Sequence, residues 1–158
     1  DILGVRKVAE NLVSDLKVIV FQLNDKEYGV PVSQVKSIEK IMHITRVPHT
    51  NPFIKGVMNL RGVVTPLLDL RVRFGMGEQA YTEGTRVIIV SIEDKEVGLI
   101  VDGANDVIDI PTSKIEPPPE VVGLEAEGYI DGVANLDKRL LILIDLHKIL
   151  ESDEVKAL

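Results

Sequence analysis

The chain has 158 residues with a formal net charge of −7, and 45% of it is hydrophobic while only 4% is aromatic. The negative charge argues against a nucleic-acid binder, which needs clustered Lys and Arg to displace counterions. Without cysteine there can be no disulfide, thiol nucleophile or cysteine-ligated zinc, as fits a reducing compartment.

No apolar run is long enough for a transmembrane helix, and the first residues carry no signal-peptide core. The sequence starts at Asp1 rather than Met, as a trimmed chain or a fragment would. A core built from Val, Ile and Leu favours strands, because β-branched side chains pack well on a pleated surface.

In chain order, residues 5–16 place Val5, Val8, Leu12, Val13 and Leu16 at helical spacing, so residues 1–17 read as an amphipathic helix or an arm. VIVFQL, from Val18, is apolar enough for a strand buried on both faces, and Asn24-Asp25-Lys26-Glu27 is a polar turn. Pro31 cannot donate to a ladder, which places its strand at an edge or ends it in a bulge. Residues 34–41 alternate imperfectly, as a bent strand would. Arg61-Gly62 is a tight turn between two strands, and Asp69 is placed to cap a short helix that Gly75 stops.

Residues 76–85 have a linker's composition. The plan then repeats, since VIVFQLNDKEYGVPV (18–32) returns as VIIVSIEDKEVGLIV (87–101), and GVMNLRGVVTPLLDL (56–70) as GVANLDKRLLILIDL (132–146). In the second copy Glu93 to Glu96 is the turn, Asp102-Gly103 another turn, and residues 107–110 a strand. Residues 117–128 form a projecting Pro-led loop, and Asp145 caps a closing helix that runs to 158. Two copies are too few for a solenoid, so the repeat implies two similar β-rich lobes, with boundaries at 18–75 and 86–150. About five short strands per lobe suit a small barrel, which removes exposed edges.

Enzymatic equipment is sparse. His43, His49 and His147 have no metal-ligand spacing and read as surface or capping residues. Gly75-Met76-Gly77 follows a helix and lacks a third glycine, so it is no dinucleotide fingerprint. Asp69 and Asp145 occupy equivalent steps, but neither is followed by the small hydroxyl residue and glycine of an aspartic-protease loop. Asn59 and Asn135 recur as turn residues. Arg61 has Asp137 as its repeat partner and is either a hairpin-tip arginine or a donor set for a partner's carboxylates or carbonyls. Val35, Ala104 and Val107 belong either to an exposed apolar groove or to the core.

Residues 47–75, read with residues 18–32, 97–110 and 139–150, resemble the CheW-type chemotaxis coupling proteins in order and spacing from about Val18 to Leu150. The resemblance implies a mostly β fold of two SH3-like five-stranded β-barrel subdomains in pseudo-repeat, with short helices at the termini. It also implies a cytoplasmic adaptor without catalysis, metal or cofactor. Such a protein joins the helical tips of membrane-anchored chemoreceptors to the regulatory domain of the histidine kinase CheA, contacts no membrane directly and is a monomer in isolation.

Carried over by motif, the receptor-facing groove uses Val35, Ser37, Glu39, Gly56 and Arg61 with Arg86, Ala104 and Val107. Gly56 there is expected to be exposed, to admit a partner helix and to tolerate Asp without unfolding. The kinase-facing surface uses Ile41, Ile44 and Val47, with a second contact at Glu120 and Val121. Many relatives carry a carboxylate where this chain has Ser37. Glu39, two residues on and on the same strand face, is the nearest substitute. The alternatives are a barrel domain of a larger protein (the kinase itself or an adaptor fused to a phosphoreceiver) and a small-ligand-binding β-protein or hydrolase.

Overall fold

The computed structural model describes residues 15–48, 51–118 and 128–151. Its elements in order are β1 (Asp15–Leu23), β2 (Lys26–Pro31), β3 (Val35–Lys40), β4 (Ile54–Leu60), β5 (Val63–Asp69), α1 (Leu70–Arg73), β6 (Arg86–Ile92), β7 (Lys95–Val101), β8 (Gly103–Pro111), β9 (Ile115–Glu116), β10 (Ile130–Leu136), β11 (Arg139–Ile144) and α2 (Leu146–Ile149). The strands form a six-stranded sheet ordered β8-β1-β2-β11-β10-β9 and a five-stranded sheet ordered β3-β6-β7-β5-β4.

Each sheet curls on itself. In the larger one, β8 and β9 lie at opposite edges yet are joined by a three-residue 3-10 turn at Thr112–Lys114, so one bent stretch of chain closes the barrel. In the smaller one, the chain leaving edge strand β3 reaches the opposite edge, where Thr45 and Val57 exchange backbone hydrogen bonds of 2.9 and 2.8 Å. This is the two-barrel architecture the repeat implied, and closure leaves few open edges.

Three apolar clusters explain why the strands read as continuous hydrophobic runs. Val18 and Val20 of β1 point into the first barrel with Leu141 and Leu143. Val87 and Ile89 of β6 point into the second with Met58 and Leu67. The alternate residues, Ile19, Phe21 and Leu23 on β1 and Ile88 and Val90 on β6, meet in a shared core between the sheets. Period-two alternation therefore places both faces of β1 and β6 in apolar surroundings.

The repeat extends to backbone hydrogen bonds and helix caps. Asp69 N donates to Phe53 O at 2.7 Å, and its counterpart Asp145 N donates to Tyr129 O at 2.8 Å. Asp69 caps α1 by accepting from Arg71 N and Val72 N, and Asp145 caps α2 by accepting from Lys148 N. Burial raises the Asp69 carboxyl above its usual value, and the hydrogen bond from Val72 N opposes that rise.

Several expectations are corrected. The sheets do not follow the boundaries 18–75 and 86–150: hairpin β1-β2 joins the sheet built from the second copy, and β6-β7 joins the sheet built from the first. Parallel pairings of β2 with β11 and of β5 with β7 make the exchange. Asp15 to Lys17 already belong to β1, paired with Pro111 to Asp109 of β8, while residues 1–14 lie outside the described residues.

Pro31 ends an interior strand, where the chain turns into the 3-10 turn Val32–Gln34 and no ladder donor is needed. Lys26 and Glu27 are strand residues, which leaves Asn24-Asp25 as the turn, and Gly103 likewise opens β8 rather than a turn. The described part of the closing helix is Leu146–Ile149, and most of the projecting loop lies outside the described residues.

Candidate functional site

Five of the proposed receptor-facing residues, Val35, Ser37, Glu39, Ala104 and Val107, fall on two equivalent edge strands, while Gly56, Arg61 and Arg86 lie elsewhere. Continuing the first repeat at the same step matches Val35 to Ala104, Ser37 to Asp106 and Ile38 to Val107, so β3 and β8 are counterparts. Val35 and Ala104 both pack against the shared core between the sheets, and β8 touches β6, the neighbour of β3. Val107 is 53% exposed and Ile38 37%. An apolar floor at Val35 and Ala104, with exposed aliphatic residues beside it, is what an amphipathic helix needs to dock.

The polar half of the site is tied across the barrel closure. A bulge between Val35 and Ser37 bends β3, and Glu39 emerges with its side chain 17% exposed. Arg61 occupies the tip of the β4-β5 hairpin with φ 52°, followed by Gly62 at φ 86°, as a two-residue mirror-image turn requires. Asn59 Oδ1 accepts from Gly62 N at 2.8 Å and holds that turn. Arg61 Nη2 then lies 3.5 Å from Glu39 Oε2 while its side chain remains 73% exposed. Glu39 is therefore the carboxylate that the structure sets against Arg61, in place of one at Ser37.

Arg86 opens β6 opposite Lys40. Its Nη1 donates to Glu83 O at 2.7 Å and Thr85 O at 2.8 Å, so one face of this guanidinium staples its own chain.

Gly56 is not part of an open surface. It is buried in β4 at φ 137°, and an added Cβ would overlap the Thr45 carbonyl oxygen and come within 2.8 Å of its carbon. The close approach that requires glycine is between two strands of the same barrel rather than with a partner helix. The sequence marked the position but could not show which backbone lies against it.

On β8, Asp106 is held by Arg139 of β11. Arg139 Nε and Nη2 donate to the two Glu27 oxygens at 2.8 and 2.9 Å, and Nη2 also donates to Asp106 Oδ2 at 2.9 Å. These hydrogen bonds hold the Glu27 carboxyl below its usual range and raise the Arg139 guanidinium. Sequence reasoning missed this triad, whose members are 112 and 33 residues from Arg139.

Of the residues expected to face the kinase, Ile41 and Ile44 are half-buried against the interior of the smaller barrel, and Val47 is half-buried beside them. Met42, which spacing did not single out, is 40% exposed between them. Val63 and Val64, beside the Arg61 tip, are 51% and 65% exposed and add to the apolar surface of this barrel. Glu120 and Val121 lie outside the described residues.

A family model described as CheW-like domain matches residues 17–154. The chain is 49% identical over 141 residues to Chemotaxis protein CheW of Bacillus subtilis, covering 89% of this chain and 90% of that one. It is 40% identical over 137 residues to Chemotaxis protein CheW of Klebsiella aerogenes, covering 87% and 82%. Among solved structures, the scaffolding protein TtCheW of Thermoanaerobacter tengcongensis superposes with a TM-score of 0.81 at 38% identity, over 89% of this chain and 95% of that one. Two closed barrels, exchanged hairpins and a match along nearly the whole chain lead to one assignment: the protein belongs to the CheW-like domain family.

Proposed function

We propose that the protein is a non-catalytic cytoplasmic adaptor that couples the helical tips of chemoreceptors to the regulatory domain of the histidine kinase CheA. The carrying observation is the pair of equivalent edge strands, β3 in one sheet and β8 in the other. Val35, Ala104 and Val107 give an apolar track, and the Glu39–Arg61 pair gives a polar anchor at its side. An amphipathic helix laid on this surface buries its apolar stripe, while Arg61 donors fix its register. Ser37 lies with Glu39 on the opposite face of β3 from Val35, and Arg86 is opposite Lys40 at the far end of that strand.

The kinase contact is a separate surface on the smaller barrel, at residues 41–47, with Met42 rather than Ile41 or Ile44 as its exposed apolar centre. Residues 120–121 form the second kinase contact. Separate receptor and kinase faces let one monomer bridge two partners, and weak contacts multiplied through an array suffice for assembly.

The test is a two-dimensional NMR titration of labelled protein with a receptor-tip fragment and, separately, with the kinase regulatory domain. Shifts at Val35, Ser37, Arg61, Ala104 and Val107 with the first titrant, and at residues 41–47 with the second, are expected. Arg61→Ala should weaken only the first by about two- to fivefold, the range of one exposed charged contact. Equal loss of both would assign Arg61 to holding the barrel together, and no shift with either would end the coupling role.

A further inference from the structure

The two copies of the repeat fill the same position differently. In the first copy Phe21, Tyr28 and Phe74 are buried together, with ring centroids 5.6 Å apart for Phe21–Tyr28 and 5.9 Å for Tyr28–Phe74. The same steps of the second copy hold Val90, Val97 and Leu150. Three rings become three smaller aliphatic side chains, and two of them, Val97 and Leu150, line a cleft among the described residues. It is half-open, has a volume of about 530 Å³ and is floored by Ile92, Val97 and Leu150.

The charged groups diverge in parallel. In the first copy the Arg71 guanidinium covers the hairpin end, its Nη1 donating to Asn24 Oδ1 at 2.6 Å and Asp102 Oδ2 at 2.8 Å. The equivalents of Arg71 and Asn24 are His147 and Glu93, and His147 Nδ1 stands 4.0 Å from Glu93 Oε1, beyond hydrogen-bond reach. A carboxylate with its side chain 81% exposed therefore stands where the first copy pairs its own cation. Glu151 adds a second carboxylate to the rim and Lys95 a single cation, so the rim favours a positive guest.

Glu93 and Asp94 both have left-handed φ values, 50° and 65°, although neither is glycine. They form the two-residue β6-β7 turn, which requires left-handed φ at both positions just as the Arg61-Gly62 turn does, and which projects the Glu93 carboxylate at the cleft rim.

We propose that this cleft is a docking site for an aromatic side chain carried beside a Lys or Arg on a partner protein. The guest supplies from outside what Tyr28, Phe74 and Arg71 supply from within in the other copy. A buried ring provides the apolar area, and the carboxylate rim selects the sign of its neighbour. The cleft sits at the β6-β7 turn and α2, apart from the β3 and β8 surface and from residues 41–47, so its failure would leave the coupling role untouched.

The test is NMR titration of the labelled full chain with three probes: N-acetyl-Phe-Arg-amide, N-acetyl-Phe-Glu-amide and N-acetyl-Ala-Arg-amide. The first should give saturable shifts at Ile92, Val97, His147 and Leu150. The second should bind about two- to fivefold more weakly, the range of one exposed ion pair, and the third should not saturate. The double variant Val97→Tyr with Leu150→Phe rebuilds the first copy's filling and should abolish binding. Should that variant fail to fold, Glu93→Arg on the exposed turn should reverse the preference toward the Glu peptide.

Indistinguishable responses to all three probes, or no response, would overturn the proposal. Removal of residues 152–158 is the last arm. If the cleft resonances move on truncation and Phe-Arg binding appears only then, the cleft belongs to the chain's own C-terminal residues and the proposal fails. Unchanged resonances and unchanged affinity would support it.

Discussion

At Gly56 the absent side chain is what lets Thr45 reach β4 and close the smaller barrel. Any Cβ must displace the Thr45 backbone at a φ that L-residues avoid, so Gly56→Ala should cost about 2 kcal/mol or more. For a chain of this size that is a fall of about 4–8 °C in Tm. Gly62 is the control, because its φ is 86° but a Cβ there meets nothing within 4 Å. Gly62→Ala should cost only about 1–2 kcal/mol, the left-handed penalty alone. Thermal unfolding of the two variants decides the matter, and equal losses would show that the Thr45 approach relaxes freely. The sequence singled out Gly56 correctly but assigned it to a partner's backbone, since a glycine reports a close approach without naming what approaches. The Glu39–Arg61 pair was legible, because two residues of a strand share a face.

Among the elements, the hairpins and helix caps were the most readable features, since Asp69, Asp145, Asn59 and the Arg61-Gly62 turn act through neighbours only a few residues away. The Arg139–Glu27–Asp106 triad was not readable, because it joins β11, β2 and β8 through pairings that the chain order conceals. It spans four successive strands of the six-stranded sheet and fixes the strand that carries Val107. Glu27 has a lowered folded pKa, so its contribution is fully present above the unfolded value and is lost as pH falls through the folded one. The stability gap between the parent and Arg139→Ala should therefore be widest near neutral pH and should close below the usual carboxylate range of about 4. Urea unfolding across that range measures it. A gap that stays constant into strong acid would mean that the Arg139 stem acts by packing alone.

For the molecule as a whole, the repeat announced two lobes correctly, and the strand count per lobe was close. What the repeat could not reveal was which hairpin pairs with which sheet, because equivalent copies offer equivalent edges and the sequence similarity is the same for either pairing. The observed exchange makes each sheet dependent on both halves of the chain. Cutting within the linker at residues 76–85 should leave two fragments that are each without a cooperative unfolding transition, while mixing them should restore one. Circular dichroism melts of the separate and combined fragments test this. An independent transition in either fragment would show that its sheet forms without the borrowed hairpin.

Two similar halves that each lend a hairpin to the other are the covalent counterpart of a domain-swapped homodimer. A single half, paired with a second copy of itself around a two-fold axis, could satisfy the same set of strand pairings through an isologous contact. Joining the two copies into one polypeptide frees each to change alone. One copy could then keep its aromatic residues while the other lost them, and Arg61 could stand at the step where the other copy holds Asp137.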